Sequence, residues 1–339
     1  MPAVVYVANA DSREVLVAHL DGSTGAVAVV QRAAAPGTVG PLALHPRRTW
    51  LYAALRSEPF AVAVFEIEPA RGTLTLRSTV PLPDNMAYVS TDPAGRFLFG
   101  ASYSGDKIAV NPIGRNGLVD ARPAQVLATR PHPHSIVTDP AGCFLFVPCL
   151  GGDAILQYEF DGRAGRLTPN RVASVATKAN AGPRHLVFHP TGRFAYCTNE
   201  LDATVGAYRV DAGAGTLTAL GVQSLLPPGF VGPAPFASAD VHVTPDGRYL
   251  YASERMSNRL AAFRIDGNTG MPAPAGGFPT EEKPRGFNID PAGRYLLAVG
   301  QASNHLTCYT IDADSGRLTA RHRYPMGRNP HWVEIVEIG

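Results

Sequence analysis

Arginine, histidine, glutamate and tyrosine recur at two fixed offsets from a proline that itself recurs, at Pro46, Pro93, Pro140, Pro190, Pro245 and Pro291. Six residues before it stand Gly40, Ala87, His134, Arg184, Ala239 and Arg285. The next residue is in turn Pro41, Tyr88, Ser135, His185, Asp240 and Gly286. Ten residues after the proline stand Arg56, Tyr103, Leu150, Glu200, Arg255 and Gln301. Brought together, these side chains make a kit for an anionic small molecule. Guanidinium groups bind carboxylate or phosphate bidentately. A histidine or glutamate serves as general base on water or on a carbon acid. A guanidinium aimed at a developing oxyanion stabilises it. Ester or lactone hydrolysis and lactone-forming cyclisation both suit such a kit. The candidates for chemistry are His134, Arg184 and Glu200. The candidates for substrate binding are His185, Arg255, Arg285, Gln301, Arg56 and Tyr103.

Other engines are missing. There is no GxSxG elbow, no glycine-rich phosphate loop before a helix and no HExxH. The proline inside His132-Pro133-His134, and the lack of a matching carboxylate cluster, argue against zinc. Glu200, Asp202 and Asp240 follow no hard-metal loop signature, so no metal is expected. A net charge of +2 gives no reason for a nucleic-acid or membrane partner. Cys143, Cys149, Cys197 and Cys308 show no paired framework. With no leader at Met1-Pro2-Ala3 and no long apolar run, a cytoplasmic setting is expected.

The elements that position the candidates follow from the repeat. The phrase is a Pro-x-Gly-Arg turn and then an aromatic-rich apolar run, as in Asp92-Pro93-Ala94-Gly95-Arg96-Phe97. Its prolines step by 47, 47, 50, 55 and 46 residues. A period in this range signals a β-propeller with four strands per blade. A second glycine turn recurs seven times, at Gly25, Gly72, Gly117, Gly165, Gly215, Gly270 and Gly316. The first unit lacks its proline turn. The strand pattern over 331–338 supplies what is missing, as innermost strand of a blade whose other strands come from 4–34. The expectation is an all-β fold: seven blades of four antiparallel strands, closed by pairing the two chain ends, with 1–339 as a single domain. In the clearest blade the strands are 184–189, 193–199, 204–211 and 217–222. No helical periodicity of useful length is found.

This arrangement places both offsets at one mouth of the central channel, opposite the proline turns. Arg184 and His185 are expected on different faces of their strand, one lining the channel and one packing between blades. Arg96, Arg193, Arg248 and Arg294, which repeat at one place, read as structural. His189 and His242 read as core or turn histidines. The insertion at 222–238, rich in Pro, Gly and Phe, reads as a long loop of the kind that forms lids.

Gly182-Pro183-Arg184-His185-Leu186-Val187-Phe188-His189-Pro190, Tyr196-Cys197-Thr198-Asn199-Glu200-Leu201 and Pro284-Arg285-Gly286-Phe287-Asn288-Ile289-Asp290 carry a resemblance to the seven-bladed lactonase family. So do the stretch from Asp240 to Arg248, Ala298-Val299-Gly300-Gln301 and Val5-Tyr6-Val7-Ala8. The resemblance runs the length of the chain. It implies hydrolysis of 6-phospho-D-glucono-1,5-lactone to 6-phosphogluconate, in the oxidative pentose phosphate pathway. Arg184 would polarise the carbonyl, His134 or Glu200 would activate water, and the phosphate and hydroxyls would lodge among Arg255, Arg285 and Gln301. The family also contains cyclases of 3-carboxymuconate, in which His134, Arg184 and Glu200 have catalytic counterparts. It gives no reason to add a cofactor. The insertion carries no Arg or Lys, so a basic loop residue for the phosphate would be replaced by Arg255, Arg285 or Arg56. A lactonase for an unphosphorylated sugar and a non-catalytic propeller that binds a protein are the remaining alternatives. A monomer or weak homodimer is expected.

Overall fold

The computed structural model describes residues 3–227, 229–230 and 235–338. Within them, twenty-eight strands form seven four-stranded antiparallel sheets. Blade 1 joins the chain ends: Pro330–Glu337 pairs with Ala3–Asn9, which pairs in turn with Glu14–Leu20, and Val27–Ala34 is outermost. Blades 2 to 7 follow in chain order, each running from the inner strand outward. Blade 5 consists of Pro183–Phe188, Phe194–Asn199, Thr204–Asp211 and Thr216–Ser224, within one or two residues of the sequence reading. Among the described residues, the helical content is one 3₁₀ turn, Leu150–Gly152. The insertion connects the outer strand of blade 5 to Ser238 of blade 6. Residues 228 and 231–234 of it lie outside the described residues, as do 1, 2 and 339.

Burial explains the strand composition. The second strand of each blade is covered on both faces by neighbouring blades, so its apolar run is continuous: Phe194–Asn199 and Tyr249–Glu254 are buried throughout. Outer strands such as Val27–Ala34 bury only scattered positions, because solvent reaches one side. The two repeated motifs meet between blades. The seven turn glycines have φ between +64° and +76°. A Cβ there would come within 2.7 Å of a side chain of the preceding blade. In six cases that side chain is aromatic (Tyr295, Trp50, Phe97, Phe144, Phe194 or Tyr249), and against Gly72 it is Val4. Glycine is needed there for both the left-handed backbone and the close approach.

One irregularity matters for function. In blade 5, Pro183 pairs with Asn199 and Leu186 with Cys197, so Arg184 and His185 together oppose Thr198. Blade 6 does the same with Ala239 and Asp240 against Ser253. Arg285 and His331 are the extra residues in blades 7 and 1. These are β-bulges at the mouth end of the inner strands, and a bulge re-aims side chains. The opposed hydroxyls accept the freed amides: His185 N donates to Thr198 Oγ1 (3.3 Å) and Asp240 N to Ser253 Oγ (3.0 Å). The expected strict alternation of Arg184 and His185 therefore does not hold. Both side chains are directed to polar partners near the axis, and neither packs in an apolar seam between blades.

Candidate active site

Arg184 and Arg285 at bulges, and Arg56 and Arg255 just past the ends of second strands, bring arginines from four blades to one end of the axis. Arg184 is buried, at 1% exposure. Its Nε lies 2.8 Å from Glu200 Oε2, an ion pair whose N–H is not aligned for a hydrogen bond, and its Nη1 donates to Ala239 O at 2.7 Å. Glu200 is shared: its Oε1 lies 2.8 Å from Arg255 Nη2, while Arg255 Nε donates to Ala237 O at 2.9 Å. Burial pushes the Glu200 carboxyl up, but Arg184, Arg255 and Arg285 outweigh it and hold it below its ordinary range. Both Glu200 oxygens are thus committed to guanidiniums.

Two arginines are less engaged. Arg56 Nε donates to Asn85 Oδ1 (3.0 Å), and its terminal nitrogens have no protein partner among the described residues. Arg285 has no hydrogen-bond or ion-pair partner among them at all. It sits deep in the ring yet keeps part of its surface open to the mouth. Burial, then Arg184, Arg255 and Arg56, depress its pKa well below the ordinary value. Four guanidiniums against one shared carboxylate leave the mouth short of negative charge. An anion supplies it with good geometry.

Beside the arginines is a set of neutral rings. His134 is 5% exposed, and Tyr103 stands edge-on to it at 5.5 Å between centroids. His134 Nδ1 is enclosed without a partner, which leaves Nε2 as the ring nitrogen with access to the mouth. Burial, then Arg184, His185 and Arg285, hold its pKa well below the usual histidine value. His185 lies deeper, edge-on to Tyr88 and His134 and near Trp332. Burial and Arg184 push it down to about 4. His331 is pushed down to about 3 by burial and Arg285. Tyr103 stacks on His132 at 4.3 Å.

Below the rings an axial cavity of about 210 Å³ is lined by Tyr88, His185, Asp240, His242, Trp332 and Glu334, among others. Asp240 Oδ1 accepts from His185 Nδ1 (2.9 Å), and Oδ2 lies 3.3 Å from His242 Nε2. Burial pushes Asp240 up, but His242 and His185 outweigh it and the carboxyl stays ionised. Burial raises Glu334 to about 7. Among the described residues, no group of three or more His, Cys, Asp or Glu side chains is arranged to hold a metal ion.

The structure thus brings His134, Arg184, Glu200, Arg255, Arg285, Arg56 and Tyr103 to one mouth. His185 lies beneath it. Gln301 is turned aside, its amide donating to Asn329 Oδ1 at 2.9 Å. His189 is a turn residue, bonded to Thr191 Oγ1 and Gly247 O. His242, expected in the core or a turn, instead faces the axial cavity, because the bulge at Asp240 sets the phase of the strand behind it. Glu334 was not singled out from sequence. The pairs Asp240/His242 and Trp332/Glu334 carried the signal: polar side chains two apart on innermost strands face the axis.

The family described as lactonase, 7-bladed beta-propeller, matches residues 4–335. The 6-phosphogluconolactonase of Serratia proteamaculans (strain 568) is 42% identical over 336 residues, 99% of each chain. That of Pectobacterium carotovorum subsp. carotovorum (strain PC1) is 40% identical over the whole of both chains. Among solved structures, the periplasmic gluconolactonase of Pseudomonas aeruginosa superposes with a TM-score of 0.93 at 28% identity, covering 100% of both chains. A putative 6-phosphogluconolactonase of Bacteroides fragilis superposes with 0.90 at 26% identity, covering 99% of this chain and 98% of that one.

Proposed function

The chain belongs to the seven-bladed β-propeller lactonase family, and we propose that its arginine mouth hydrolyses 6-phospho-D-glucono-1,5-lactone to 6-phosphogluconate. One observation carries the reading: four converging guanidiniums, two of them without a carboxylate partner, beside a neutral histidine with an open ring nitrogen. Arg56 and Arg285 take the phosphate, because their donors are free. Arg184, anchored by Glu200 and Ala239 O, keeps an uncommitted Nη2 for the lactone carbonyl. Glu200 is a positioning residue, since a carboxylate held by two arginines makes a poor base. His134 is the base. Its Nε2 takes a proton from water as the water oxygen bonds to the carbonyl carbon and the C=O electron pair moves to oxygen. Collapse of the oxyanion re-forms C=O and breaks the ring C–O bond, and the leaving ring oxygen takes the proton back from Nε2. The carboxylic acid formed then ionises in solvent.

An anion between Arg56 and Arg285 also raises the His134 pKa toward neutrality, so the base is strongest when substrate is bound. The likeness to the periplasmic gluconolactonase supports a second reading, in which the substrate is unphosphorylated. A phosphorylated substrate fits a cytoplasmic enzyme of the oxidative pentose phosphate pathway, and the four unpaired cysteines agree with that setting. Among the described residues no helix is long and apolar enough to cross a membrane. We assign 1–339 to one functional unit, acting as a monomer or weak homodimer. Its large exposed apolar side chains, such as Val29, Leu76, Val126 and Val172, lie on separate blades, which supports this.

The test offers purified protein the phosphorylated lactone, glucono-1,5-lactone and 3-carboxymuconate. Turnover well above the spontaneous rate with the first, and at least tenfold lower kcat/KM with the second, is expected. Equal rates on the two lactones favour the unphosphorylated reading. Turnover of carboxymuconate alone, or of none of the three, overturns the proposal.

A further inference from the structure

Two buried ring nitrogens, His134 Nδ1 and His185 Nε2, have no hydrogen-bond partner, and they belong to adjacent rings. The ring centroids are 5.3 Å apart at 63°, a spacing at which two nitrogens aimed at each other meet at hydrogen-bond distance. Orphaned polar atoms inside a protein call for an explanation, and two on neighbouring rings point to a bond made in another state of the site. The far side of His185 is already fixed. Its Nδ1 faces Asp240 Oδ1 at 2.9 Å, and Oδ1 also accepts from Val241 N (3.1 Å). The other oxygen, Oδ2, faces His242 Nε2 and accepts from Phe287 N (3.3 Å). An ionised carboxylate with only donors around it accepts from His185, so His185 carries its proton on Nδ1 and presents a lone pair at Nε2.

We propose that Asp240 and His185 are positioning residues for His134: Asp240 sets the tautomer of His185, whose Nε2 accepts the Nδ1–H of His134 and so leaves His134 Nε2 as the proton acceptor at the mouth. The chain runs water, His134, His185, Asp240. It extends the familiar histidine–carboxylate pair by one imidazole. No proton passes along it. When His134 Nε2 takes the water proton, the Nδ1–H···Nε2 bond shortens and spreads the new charge toward Asp240. The two nitrogens are not aligned for a hydrogen bond in this structure, and catalytic hydrogen bonds often tighten only as the reaction proceeds. The charged and titratable groups facing His134 are Arg184 and His185 from blade 5, Arg285 from blade 7, and Tyr103 on its own side of the mouth. Asp240 from blade 6 reaches it through the His185 ring.

This inference rests on His134 as base, and the experiment separates the two. ¹⁵N-histidine NMR of the full chain reads tautomers without any turnover. The expected result is Nδ1–H for both His134 and His185. Steady-state kinetics on the phosphorylated lactone then compare Asp240→Asn, His185→Phe and His185→Gln. Losing the acceptor should lower kcat about 10- to 100-fold with KM within twofold, because Arg56 and Arg285 still hold the substrate. His185→Gln, whose amide oxygen can accept from Nδ1–H, should lie between wild type and His185→Phe. Should Asp240→Asn fail to fold, the wild-type tautomers and the two His185 variants carry the test. An Nε2–H tautomer at His134, or His185→Phe with wild-type kcat, overturns the chain. Full activity in His134→Ala together with Nδ1–H tautomers sinks the base assignment and leaves the hydrogen-bonded chain standing.

Discussion

Arginine crowds both ends of this ring, and the two ends use it differently. At the proline-turn end, Arg193, Arg248 and Arg294 repeat at equivalent places and lie 5.2, 5.6 and 6.0 Å over Phe194, Tyr249 and Tyr295. Arg193 and Arg294 are exposed and Arg248 is half-buried, and their turns are held by local bonds such as Asp290 Oδ1 accepting from Arg294 N and Tyr295 N. At the mouth, Arg56, Arg184, Arg255 and Arg285 occupy places where other blades carry different residues. They are enclosed, close together and only partly neutralised. A repeated arginine serves the repeat. A crowded one, at a position that most blades fill with another residue, raises the electrostatic energy of the mouth, and an anion offsets what Glu200 does not.

The sharpest way to break this contrast is at the base. His134→Ala should lower kcat by about 10²- to 10⁴-fold while the fold persists, since general-base catalysis supplies that range. A stopped or coupled assay corrected for spontaneous hydrolysis checks it, and wild-type kcat would remove the histidine from the chemistry. Next come the free guanidiniums. Arg285→Ala should raise KM for the phosphorylated lactone about 10- to 100-fold and change it little for the unphosphorylated one. It should also move the acid limb of kcat/KM upward. Arg285 is among the groups that depress His134, and a base with a depressed pKa stays unprotonated, hence active, to lower pH. In the wild type that limb should fall below pH 6.5.

A smaller effect is expected along the axis. Burial raises Glu334 to about 7, so the folded state holds its proton more tightly than the unfolded chain. Its contribution to stability is complete below the unfolded value near 4.5 and is lost as pH rises toward 7. Glu334 keeps part of its surface accessible, which screens the group, so the span should be roughly 1–2 kcal/mol. Glu334→Gln should flatten denaturation midpoints between pH 4.5 and 7, and an unchanged pH dependence would contradict the burial argument. The smallest effect belongs to the other end of the ring. Arg294→Ala should leave kcat and KM untouched and cost less than about 1 kcal/mol by chemical denaturation.

Much of this was legible in the chain. Two motifs at a fixed period gave the blades, and their physical link emerged only in three dimensions: in six of the seven cases the turn glycine packs on the aromatic residue that follows the proline turn of the blade before. Ring closure was readable because the C-terminal strand pattern had no partner other than the unit lacking a proline turn. The mouth was readable because unlike residues fell at equivalent offsets. What sequence missed came from the bulges. One extra residue shifts the phase of a strand, so alternation misplaced His185 and hid the axial cluster of Asp240, His242 and Glu334. Offsets also say nothing of who pairs with whom. Gln301 and Glu200 share a position in the repeat, yet Gln301 is spent on Asn329 and Glu200 joins two arginines.

The division of labour across the mouth is tested most directly by calorimetric binding of 6-phosphogluconate to two variants. His134→Ala should bind this product within a few-fold of wild type. The Arg56→Ala/Arg285→Ala double variant, folded and with His134 intact, should lose at least 100-fold in affinity. Retained binding in the double variant, or its loss in His134→Ala alone, would contradict a site in which free guanidiniums hold the anion and a neutral histidine does the chemistry.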